Sequence, residues 1–406
     1  MDQKNIVIVG GGYAGLHAVN HIRTQLSGAE ADGYRILLID KVPYHFRKVL
    51  LFKAAVTDRS HLEVPFSMLL KKGIEFVQAG LHAIDPHAQT IDVTYPDGSG
   101  GSLPYDRLVL TLGSVVNRVP EEMGGISLAD PANAEKVRQQ MLHHLQLART
   151  ETRPDVQRQL LSAAVVGAGI TGIETAAELG CWMKAEAEKA GLDPRLVEVK
   201  LINNRPRLFE AGSARTGEQL QAMLRERGVS VHHGVKARHF ADGKLQLDNG
   251  SSLHAAVCVW TLGLKPNPLL GRLGLPLEPN GKLSVDPWYR VQGHPRIYAI
   301  GDCAHIVDPA TGQADGMTCK EAVPQGKRLG QIVKAELQGR TGPQHKPFGP
   351  PLYCIGLGPG SGFIWARGWG RDFVLKRSLG WKIRVMTWNS ASLLDGKVLK
   401  RLQAEQ

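Results

Sequence analysis

The feature that most constrains this chain is a glycine pattern that occurs twice, each time between a short apolar run and a stretch of helical character. The first run is Asn5–Val9 and the second is Ala163–Val166. Such short apolar runs are typical of buried parallel strands. Both copies have the spacing G-x-G-x-x-G, and they begin 157 positions apart. The glycines are Gly10, Gly12 and Gly15 in the first copy and Gly167, Gly169 and Gly172 in the second.

Each glycine in this spacing has a structural task. The first permits a tight turn, the second lets a pyrophosphate approach the backbone, and the third lets helix and strand pack closely. A further strand follows each copy: Arg35–Ile39 ends at Asp40, and Leu196–Ile202 ends at Asn203. The sequence therefore predicts an α/β protein with two Rossmann-like dinucleotide-binding domains. A chain that binds two dinucleotides usually passes a hydride between a nicotinamide and a flavin.

Two glycine turns and a Gly-Asp pair extend the predicted cofactor sites. The turns are TLGS at Thr111–Ser114 and TLGL at Thr261–Leu264, where the chain is expected to cross between domains. In the segment Arg296–His305, Gly301 precedes Asp302, whose carboxylate can accept hydrogen bonds from ribityl hydroxyls. The residues expected to hold the flavin dinucleotide are Gly10, Gly12, Tyr13, Ala14, Gly15, Asp40, Thr111, Gly113, Gly301 and Asp302. Those expected to hold the nicotinamide dinucleotide are Gly167, Gly169, Ile170, Thr171, Gly172, Asn203, Arg205 and Gly263.

Composition restricts the other classes of function. With 406 residues, 43% of them hydrophobic, the chain is long enough for several packed domains. A formal net charge of +11 favours an anionic partner, such as a lipid surface, nucleic acid or a phosphate-bearing cofactor. Five widely spaced cysteines argue against a secreted disulfide scaffold. The apolar runs are too short to span a membrane and no signal peptide precedes the first strand, so we expect a cytoplasmic protein.

Nucleic-acid and metal binding are not expected. The sequence has no helix-turn-helix signature and no aromatic-basic RNA motif. Its 15 histidines are scattered and lack the spacing of metal ligands.

The order of the motifs resembles that of the type II (non-proton-pumping) NADH dehydrogenases. GGGYAG, PYH at Pro43–His45, TLGS, GAGITGIETAAEL, WTLGLKPN and IYAIGDCAH follow one another at similar spacing over roughly residues 4–365. The resemblance implies bound FAD, NAD(P)H as substrate, a quinone acceptor and a glutathione-reductase-like flavoprotein fold. It also implies an NAD(P)H-binding domain (120–270) inserted into a split FAD-binding domain (1–119 and 271–335). A C-terminal region (336–406) would follow, and homodimers are common in this superfamily.

Thiol-dependent members of the same superfamily fit the sequence less well. Disulfide reductases have a Cys-x4-Cys pair soon after the first fold, where this chain has YHFRKVLLFK. Thioredoxin reductases have Cys-x-x-Cys in the nicotinamide domain, but residues 161–265 contain only Cys181 and Cys258. Sulfide:quinone reductases use a cysteine just before the second-fold helix, where this chain has GAGITGIE.

Glu174 and Lys320 are the candidate catalytic residues. In the resembling dehydrogenases, a glutamate two positions after the last fingerprint glycine lies near the flavin and takes part in proton handling. An acid in the first turn of a helix also offsets the helix dipole, so Glu174 has a purely structural alternative. Lys320 could donate to a quinone oxygen or stabilise an anionic reduced flavin.

The segment Met317–Gly326 departs from the quinone motif AQxxxQ of that family. Cys319, Lys320 and Pro324 occupy the matching positions, and Gln325 comes one residue late. Both amides that would bind a quinone carbonyl are therefore lost or displaced, which weakens the quinone assignment without removing it.

The sequence does not decide whether two of the cysteines are redox-active, or which nicotinamide nucleotide is used. Cys319 and Cys354 either form a redox pair near the flavin or pack as ordinary buried thiols. The second fold has Asn203, Arg205 and Arg207 where NAD-selective folds have an acid. This favours NADPH or dual use, unless the arginines are simply exposed loop cations.

The C-terminal region combines positive charge with tryptophan. Residues 371–406 contain eight Lys or Arg against three acidic residues, and four of the seven Trp lie between Trp365 and Trp388. Cations suit anionic headgroups and indoles suit the membrane boundary, so the region predicts a peripheral helix on the inner face of the cell membrane. The alternative is a solvated helix that packs on the flavin domain or on a second subunit.

Together these features predict an FAD-dependent NAD(P)H:quinone oxidoreductase. A flavin-based redox sensor with slow turnover is one alternative. The other is an NAD(P)H-dependent reductase of a small electron-transfer protein that docks on the basic surface.

Overall fold

The largest sheet takes its six strands from two distant parts of the chain. The structure is a computed structural model that describes residues 3–26, 32–57 and 62–404. In sheet order the strands are Arg290–Val291, His294–Ala299, Arg107–Leu110, Lys4–Val9, Tyr34–Asp40 and Ile74–Gln78. All neighbours pair in parallel except Arg290–Val291, which is antiparallel to its neighbour. A parallel sheet needs cover on both faces, which explains why Ile6–Val9 is apolar without alternation.

The second sheet is wholly parallel and comes from the middle of the chain. Its strands in order are Ile126–Ser127, Val257–Trp260, Ser162–Val166, Glu198–Asn203 and Val229–His233. The central strand, Ser162–Val166, is buried along its whole length. Both sheets therefore place a glycine fingerprint at the carboxyl end of a central strand, where open α/β sheets bind ligands.

The two connections between these sheets lie side by side. Ser114–Val116 pairs in antiparallel fashion with Leu264–Pro266, and each strand starts within or directly after a TLG turn. We call this pair the crossover ribbon. The predicted crossing points thus form one two-stranded element.

Smaller sheets flank the two large ones. The three-stranded sheets are Gly80–Asp85 with Thr90–Thr94 and Gly100–Pro104, Ala237–Ala241 with Lys244–Leu247 and Ser252–His254, and Leu352–Gly356 with Gly362–Gly368 and Arg371–Lys376. Leu283–Ser284 pairs with Ala304–His305, and Tyr44–Phe46 pairs with Glu63–Pro65.

Nine α-helices are described. They are α1 (Tyr13–Gln25), α2 (Phe66–Leu69), α3 (Pro131–Thr150), α4 (Pro154–Leu160), α5 (Ile170–Lys189), α6 (Ala214–Glu226), α7 (Cys319–Leu337), α8 (Arg377–Ala391) and α9 (Gly396–Ala404). Short 3-10 segments occur at Lys48–Ala55, Glu121–Met123, Pro194–Leu196, Pro268–Arg272 and Gly301–Cys303. Within the described ranges, no helix combines the length and apolar character needed to cross a bilayer.

Each large sheet has its own apolar core, and the second core recruits distant segments. Leu50 and Phe52 from the 3-10 segment pack there together with Phe363, Trp365 and Trp388 from the C-terminal region. The helix α9 instead packs on the first core through Leu402. The C-terminal region therefore contacts both large sheets.

The predicted fold class is confirmed, and one local prediction differs from the structure. The predicted strands agree with the observed ones to within one or two residues. The stretch Ala148–Gln157, with its Pro154, predicts a linker into the second fold, but only residues 151–153 of it lie outside a helix. Helix α3 continues to Thr150 and α4 begins at Pro154, because proline is well suited to the first position of a helix.

Candidate functional site

The first glycine loop has one face closed by backbone and one face open. Gly10 has a φ of +106°, and a Cβ there would lie 2.4 Å from the carbonyl oxygen of Thr111. A Cβ on Gly15 would lie 1.9 Å from the carbonyl oxygen of Gly10. At Gly12, no described atom lies within 4 Å of that position. Only Gly12 therefore faces open space, and this is where a pyrophosphate would meet the backbone.

The second glycine loop repeats this geometry. Gly167 also has a φ of +106°, and a Cβ on Gly172 would lie 1.7 Å from the carbonyl oxygen of Gly167. Gly169 again has open space around its Cβ position among the described atoms. Ile170 and Thr171 begin helix α5, so the amino end of that helix faces the same space.

The threonines of the two TLG turns hold these loops. The hydroxyl of Thr111 donates to the carbonyls of Val9 and Gly10, at 2.8 and 2.7 Å. The hydroxyl of Thr261 donates to the carbonyls of Val166 and Gly167, at 2.9 and 3.0 Å. The glycines that follow, Gly113 and Gly263, have positive φ values of +64° and +81°.

The two strand ends use their polar side chains differently. Asp40 accepts hydrogen bonds from the backbone N–H of Gly11 at 2.6 Å and of Val42 at 3.1 Å. Burial raises the pKa of Asp40, and these two N–H groups oppose the shift. Asp40 thus steadies the first glycine loop itself.

Asn203 turns into the loop that follows its own strand. Its amide nitrogen donates to the carbonyls of Arg205 and Arg207 at 3.1 and 3.0 Å, and it contacts Nδ1 of His233 at 2.9 Å. Arg207 is likewise occupied, since it donates to loop carbonyls that include Gly212 at 2.9 Å. Arg205 is different: 68% of its side chain is exposed, with Glu210 3.8 Å away. Of the two arginines, Arg205 is the one available to a ligand.

The Gly-Asp pair lies against the first fingerprint. A Cβ on Gly301 would lie 2.8 Å from the Cβ of Ala14, near the start of α1. The carboxylate of Asp302 accepts a hydrogen bond from the hydroxyl of Ser114 at 2.5 Å. Tyr13, in the first turn of α1, accepts a hydrogen bond from Val49 N–H at 3.4 Å. The residues predicted to hold a flavin dinucleotide are therefore neighbours.

Gln325 has a structural task. Its side-chain oxygen accepts from the N–H of Gly301 at 2.8 Å, and its amide nitrogen donates to Asp315 at 2.8 Å. The side chain is buried. It fixes the position of the Gly301–Asp302 turn, so its amide is not free for an electron acceptor.

Glu174 forms a buried ion pair that the sequence analysis missed. Its carboxylate accepts from Nε and Nη2 of Arg384 at 2.9 and 3.0 Å, and from the N–H of Gly356 at 2.7 Å. Both side chains of the pair are buried. Burial raises the pKa of Glu174, while the Arg384 guanidinium opposes that shift. Arg384 also lies 4.8 Å from the centre of the Trp388 ring, a cation–π contact.

Arg384 belongs to α8, which contacts the first fold at the equivalent position. His17 lies two residues after Gly15, as Glu174 lies two residues after Gly172. Nε2–H of His17 donates to the carbonyl of Ala391, the last residue of α8, at 3.0 Å. One C-terminal helix therefore contacts matching positions on both fingerprint helices.

Lys320 and the two cysteines surround the same region. Nζ of Lys320 donates to the carbonyl of Leu352 at 3.2 Å and lies 4.7 Å from the centre of the Tyr353 ring. Burial raises the pKa of the Cys319 and Cys354 thiols, and Arg384 opposes the shift in both. Both cysteines are free, as are the other three in the described part of the chain. A raised pKa keeps a thiol protonated and unreactive, which favours the packing interpretation.

Comparison with known proteins agrees with this geometry. The chain is 29% identical over 375 residues to an NADH dehydrogenase-like protein of Mycobacterium tuberculosis, covering 91% of this chain and 89% of that protein. It is 25% identical over 378 residues to the type II NADH:quinone oxidoreductase of Staphylococcus aureus, covering 90% and 91%. The structure of NDH2 from Plasmodium falciparum in complex with NADH superposes with a TM-score of 0.82 at 16% identity, covering 99% and 96%.

These findings confirm the resemblance that the motifs indicated. Residues 4–338 match the family described as pyridine nucleotide-disulphide oxidoreductase. This match includes both fingerprints, both TLG turns and the Gly301–Asp302 turn. The chain belongs to the pyridine nucleotide-disulphide oxidoreductase family.

Proposed function

We propose that this protein is an FAD-dependent NAD(P)H dehydrogenase that passes two electrons on to a quinone. The observation that carries the proposal is the pair of matching glycine loops, each with one open face, at Gly12 and Gly169. Curated relatives over about nine tenths of the chain are named NADH dehydrogenase-like and type II NADH:quinone oxidoreductase. The first loop and Asp302 would hold FAD, which would supply the hydride and electron chemistry between NAD(P)H and the acceptor.

The first fold provides the FAD site. Its backbone is exposed at Gly12, and α1 presents its amino end there. Asp302 accepts from Ser114, and the preceding Gly301 lies against Ala14. Sheet membership supports the domain division into 1–119 with 271–335, 120–270, and 336–406. The flavin site consists of Gly10, Gly12, Tyr13, Ala14, Gly15, Asp40, Thr111, Gly113, Gly301 and Asp302.

The second fold provides the nicotinamide site. Gly169 and the amino end of α5 hold the pyrophosphate, and the exposed Arg205 suits a 2′-phosphate. Asn203 supports the loop rather than the ribose, because its amide is occupied. The site consists of Gly167, Gly169, Ile170, Thr171, Gly172, Asn203, Arg205 and Gly263, with NADPH and NADH both accepted.

Glu174 and Lys320 act on the acceptor side. The carboxylate of Glu174 takes up and releases a proton, and the ion pair with Arg384 sets its proton affinity. Lys320 presents an ammonium group near Tyr353 that can donate to a quinone oxygen. Lys320 thus supplies a donor in the segment where the amides of the quinone motif are missing.

An anaerobic titration with NADH and NADPH tests the proposal. We expect the visible band of oxidised flavin to bleach with either nucleotide and to return on addition of a quinone analogue. A bound flavin that neither nucleotide reduces would contradict the dehydrogenase assignment. Slow return of the band would favour a redox sensor, and a rate that falls steeply with salt would favour a protein acceptor.

Two glycine variants separate the sites in the same experiment. Gly12→Val fills the open face of the first loop and should prevent flavin binding. Gly169→Val fills the open face of the second loop. This variant should keep its flavin, but NADH and NADPH should no longer reduce it. A reversed pattern would exchange the roles of the two folds.

Membrane docking is a further part of the proposal, and we assign it to a different element from the C-terminal helix that the sequence suggests. Of the four C-terminal tryptophans, Trp365 and Trp388 are buried, but Trp369 is 95% exposed at the turn between two strands. Phe373, Leu375, Leu379 and Met386 are also exposed nearby. Helix α9, by contrast, packs on the first core, as the alternative interpretation expected.

Vesicle co-sedimentation tests the docking. We expect binding to vesicles containing phosphatidylglycerol and weaker binding to neutral vesicles, because the exposed cations Arg371, Lys376 and Arg377 lie among these apolar residues in the sequence. Trp369→Ser should weaken binding, whereas Trp182→Ser, on the nicotinamide fold, should not. The homodimer rests on the resemblance alone, and sedimentation velocity of the purified protein tests it.

A further inference from the structure

Lys48 is a half-buried cation that none of the sequence motifs contains. It begins the 3-10 segment Lys48–Ala55. Its ammonium donates to the carbonyl oxygen of Ser114 at 2.5 Å and contacts the Ser114 hydroxyl at 3.2 Å. That hydroxyl in turn donates to Asp302. Lys48, Ser114 and Asp302 therefore form one polar chain.

This chain lies where three segments of the flavin site meet. Ser114 ends the first TLG turn, and Asp302 belongs to the Gly-Asp pair. The residue after Lys48, Val49, donates its N–H to Tyr13 at the start of α1. The segments are far apart in sequence, so their meeting point is a property of the fold. Lys48 brings a positive charge to that point.

We propose that Lys48 is the cation that sets the electron affinity of the bound flavin. This inference rests on the proposed function. Hydride transfer from NAD(P)H would give a bound flavin two electrons and one proton, and hence one negative charge until a second proton came from solvent. The ammonium of Lys48, held in this partly desolvated part of the predicted flavin site, would stabilise that charge more strongly than water does.

The local contacts keep this cation available. An ammonium has three donors, and both hydrogen bonds of Lys48 within the described part of the chain go to Ser114. Burial lowers the pKa of Lys48, and the Asp302 carboxylate opposes the shift. Asp302 therefore favours the protonated form of Lys48, and the contacts with Ser114 fix the position of the ammonium group.

The test is the equilibrium constant for two-electron reduction of the bound flavin against a reference dye, measured without nicotinamide. We expect Lys48→Met to lower this constant by about tenfold, because one neighbouring charge is lost. Lys48→Arg keeps the charge and should retain the wild-type value. Lys72→Met removes the same charge from an exposed position on the same domain and serves as the control.

A second readout separates charge from packing. The pH at which the reduced flavin takes its second proton should rise in Lys48→Met and not in Lys48→Arg. If Lys48→Met does not hold flavin, Lys48→Gln, which keeps a donor towards the Ser114 carbonyl, takes its place.

The outcomes distinguish this inference from the proposed function. Unchanged reduction in Lys48→Met or Lys48→Gln with flavin bound overturns the role of Lys48 alone. Loss of flavin in all three variants assigns Lys48 a structural task and also overturns it. A wild-type protein that holds no flavin, or whose flavin neither nucleotide reduces, contradicts the proposed function itself.

Discussion

The two glycine folds of this chain are almost the same in their turns and different in what surrounds them. Gly10 and Gly167 share a φ of +106°, and the threonine of each TLG turn donates to the two equivalent carbonyls of its own fold. The strand ends differ, because Asp40 bonds to the glycine loop and Asn203 bonds to the loop after its strand. The comparison teaches that the turn is dictated locally, whereas the side chain at the strand end is free to differ between the two folds.

The folds also differ in how they are joined to helix α8. The first fold uses a neutral hydrogen bond from His17, and the second uses the ion pair of Glu174 with Arg384. These residues occupy matching positions on their helices. A buried ion pair and a buried imidazole respond differently to mutation and to pH, so the difference can be tested.

The largest effect is expected at the third glycine of each fingerprint. Gly15→Ala and Gly172→Ala should each lower the free energy of unfolding by about 4 kcal/mol, because the new Cβ would overlap a backbone carbonyl. Gly12→Ala and Gly169→Ala should cost about 1 kcal/mol or less, since their Cβ positions face open space. Urea unfolding followed by far-UV circular dichroism measures all four. Equal costs at the two kinds of position would contradict the assignment of the open faces.

Breaking the ion pair should have the next largest effect. Arg384→Met leaves Glu174 buried without its partner and should lower the free energy of unfolding by about 3 kcal/mol. The control is Arg377→Met on the same helix, whose partner Glu226 is exposed, and which should cost about 0.5 kcal/mol. Urea unfolding at neutral pH compares the two. Similar values for both variants would mean that the buried pair contributes no more than a surface pair.

The histidine contact should weaken in acid. Burial lowers the pKa of His17 to about 4, and that of His45 likewise to about 4. The unfolded chain then binds protons more readily than the folded one between about pH 6.5 and 4, so stability falls as the pH falls through that range. His17 alone should contribute about 2 kcal/mol of the loss between pH 7 and 5.

A His17→Gln variant isolates this contribution. Glutamine keeps a donor for the Ala391 carbonyl and does not titrate, so the loss between pH 7 and 5 should be smaller by about 2 kcal/mol. His143→Gln, at an exposed position, is the control and should follow the wild type. A pH dependence that is the same in all three proteins would be at odds with a buried neutral His17.

The smallest effect is expected at the nicotinamide strand end. Arg205→Ser should reduce the preference for NADPH over NADH by about tenfold or less, since an exposed cation contributes modestly. Arg207→Ser should instead lower stability, because its guanidinium binds loop carbonyls. Steady-state KM values for both nucleotides measure the first effect, and thermal unfolding measures the second. An unchanged KM ratio in Arg205→Ser would remove this residue from the site.

The parts of the site that the sequence predicts are those decided by neighbouring residues. The fingerprints and TLG turns depend on which positions tolerate a Cβ or need a positive φ. The positions of the glycines within a short stretch of sequence indicate these requirements. Proline at 154 shows the limit of such rules, because the same residue is compatible with a linker and with a helix start.

The parts that the sequence does not predict depend on partners far along the chain. Arg384 and Glu174 are 210 positions apart, and no periodicity in the sequence indicates that they pair. The tryptophans of the C-terminal region look alike in sequence, but Trp369 faces solvent and Trp388 packs in the second core. Only the tertiary fold decides which of these tryptophan side chains is exposed on the surface.

The crossover ribbon has a mechanical consequence. Because the chain enters and leaves the second fold through neighbouring paired strands, both covalent connections between the two folds lie side by side. Non-covalent contacts add to them: helix α8 binds His17 and Glu174, and the 3-10 segment Lys48–Ala55 packs in the second core. Any rotation of the second fold about the crossover ribbon would have to break the contacts of α8, so the strength of these contacts limits how often such a rotation can occur.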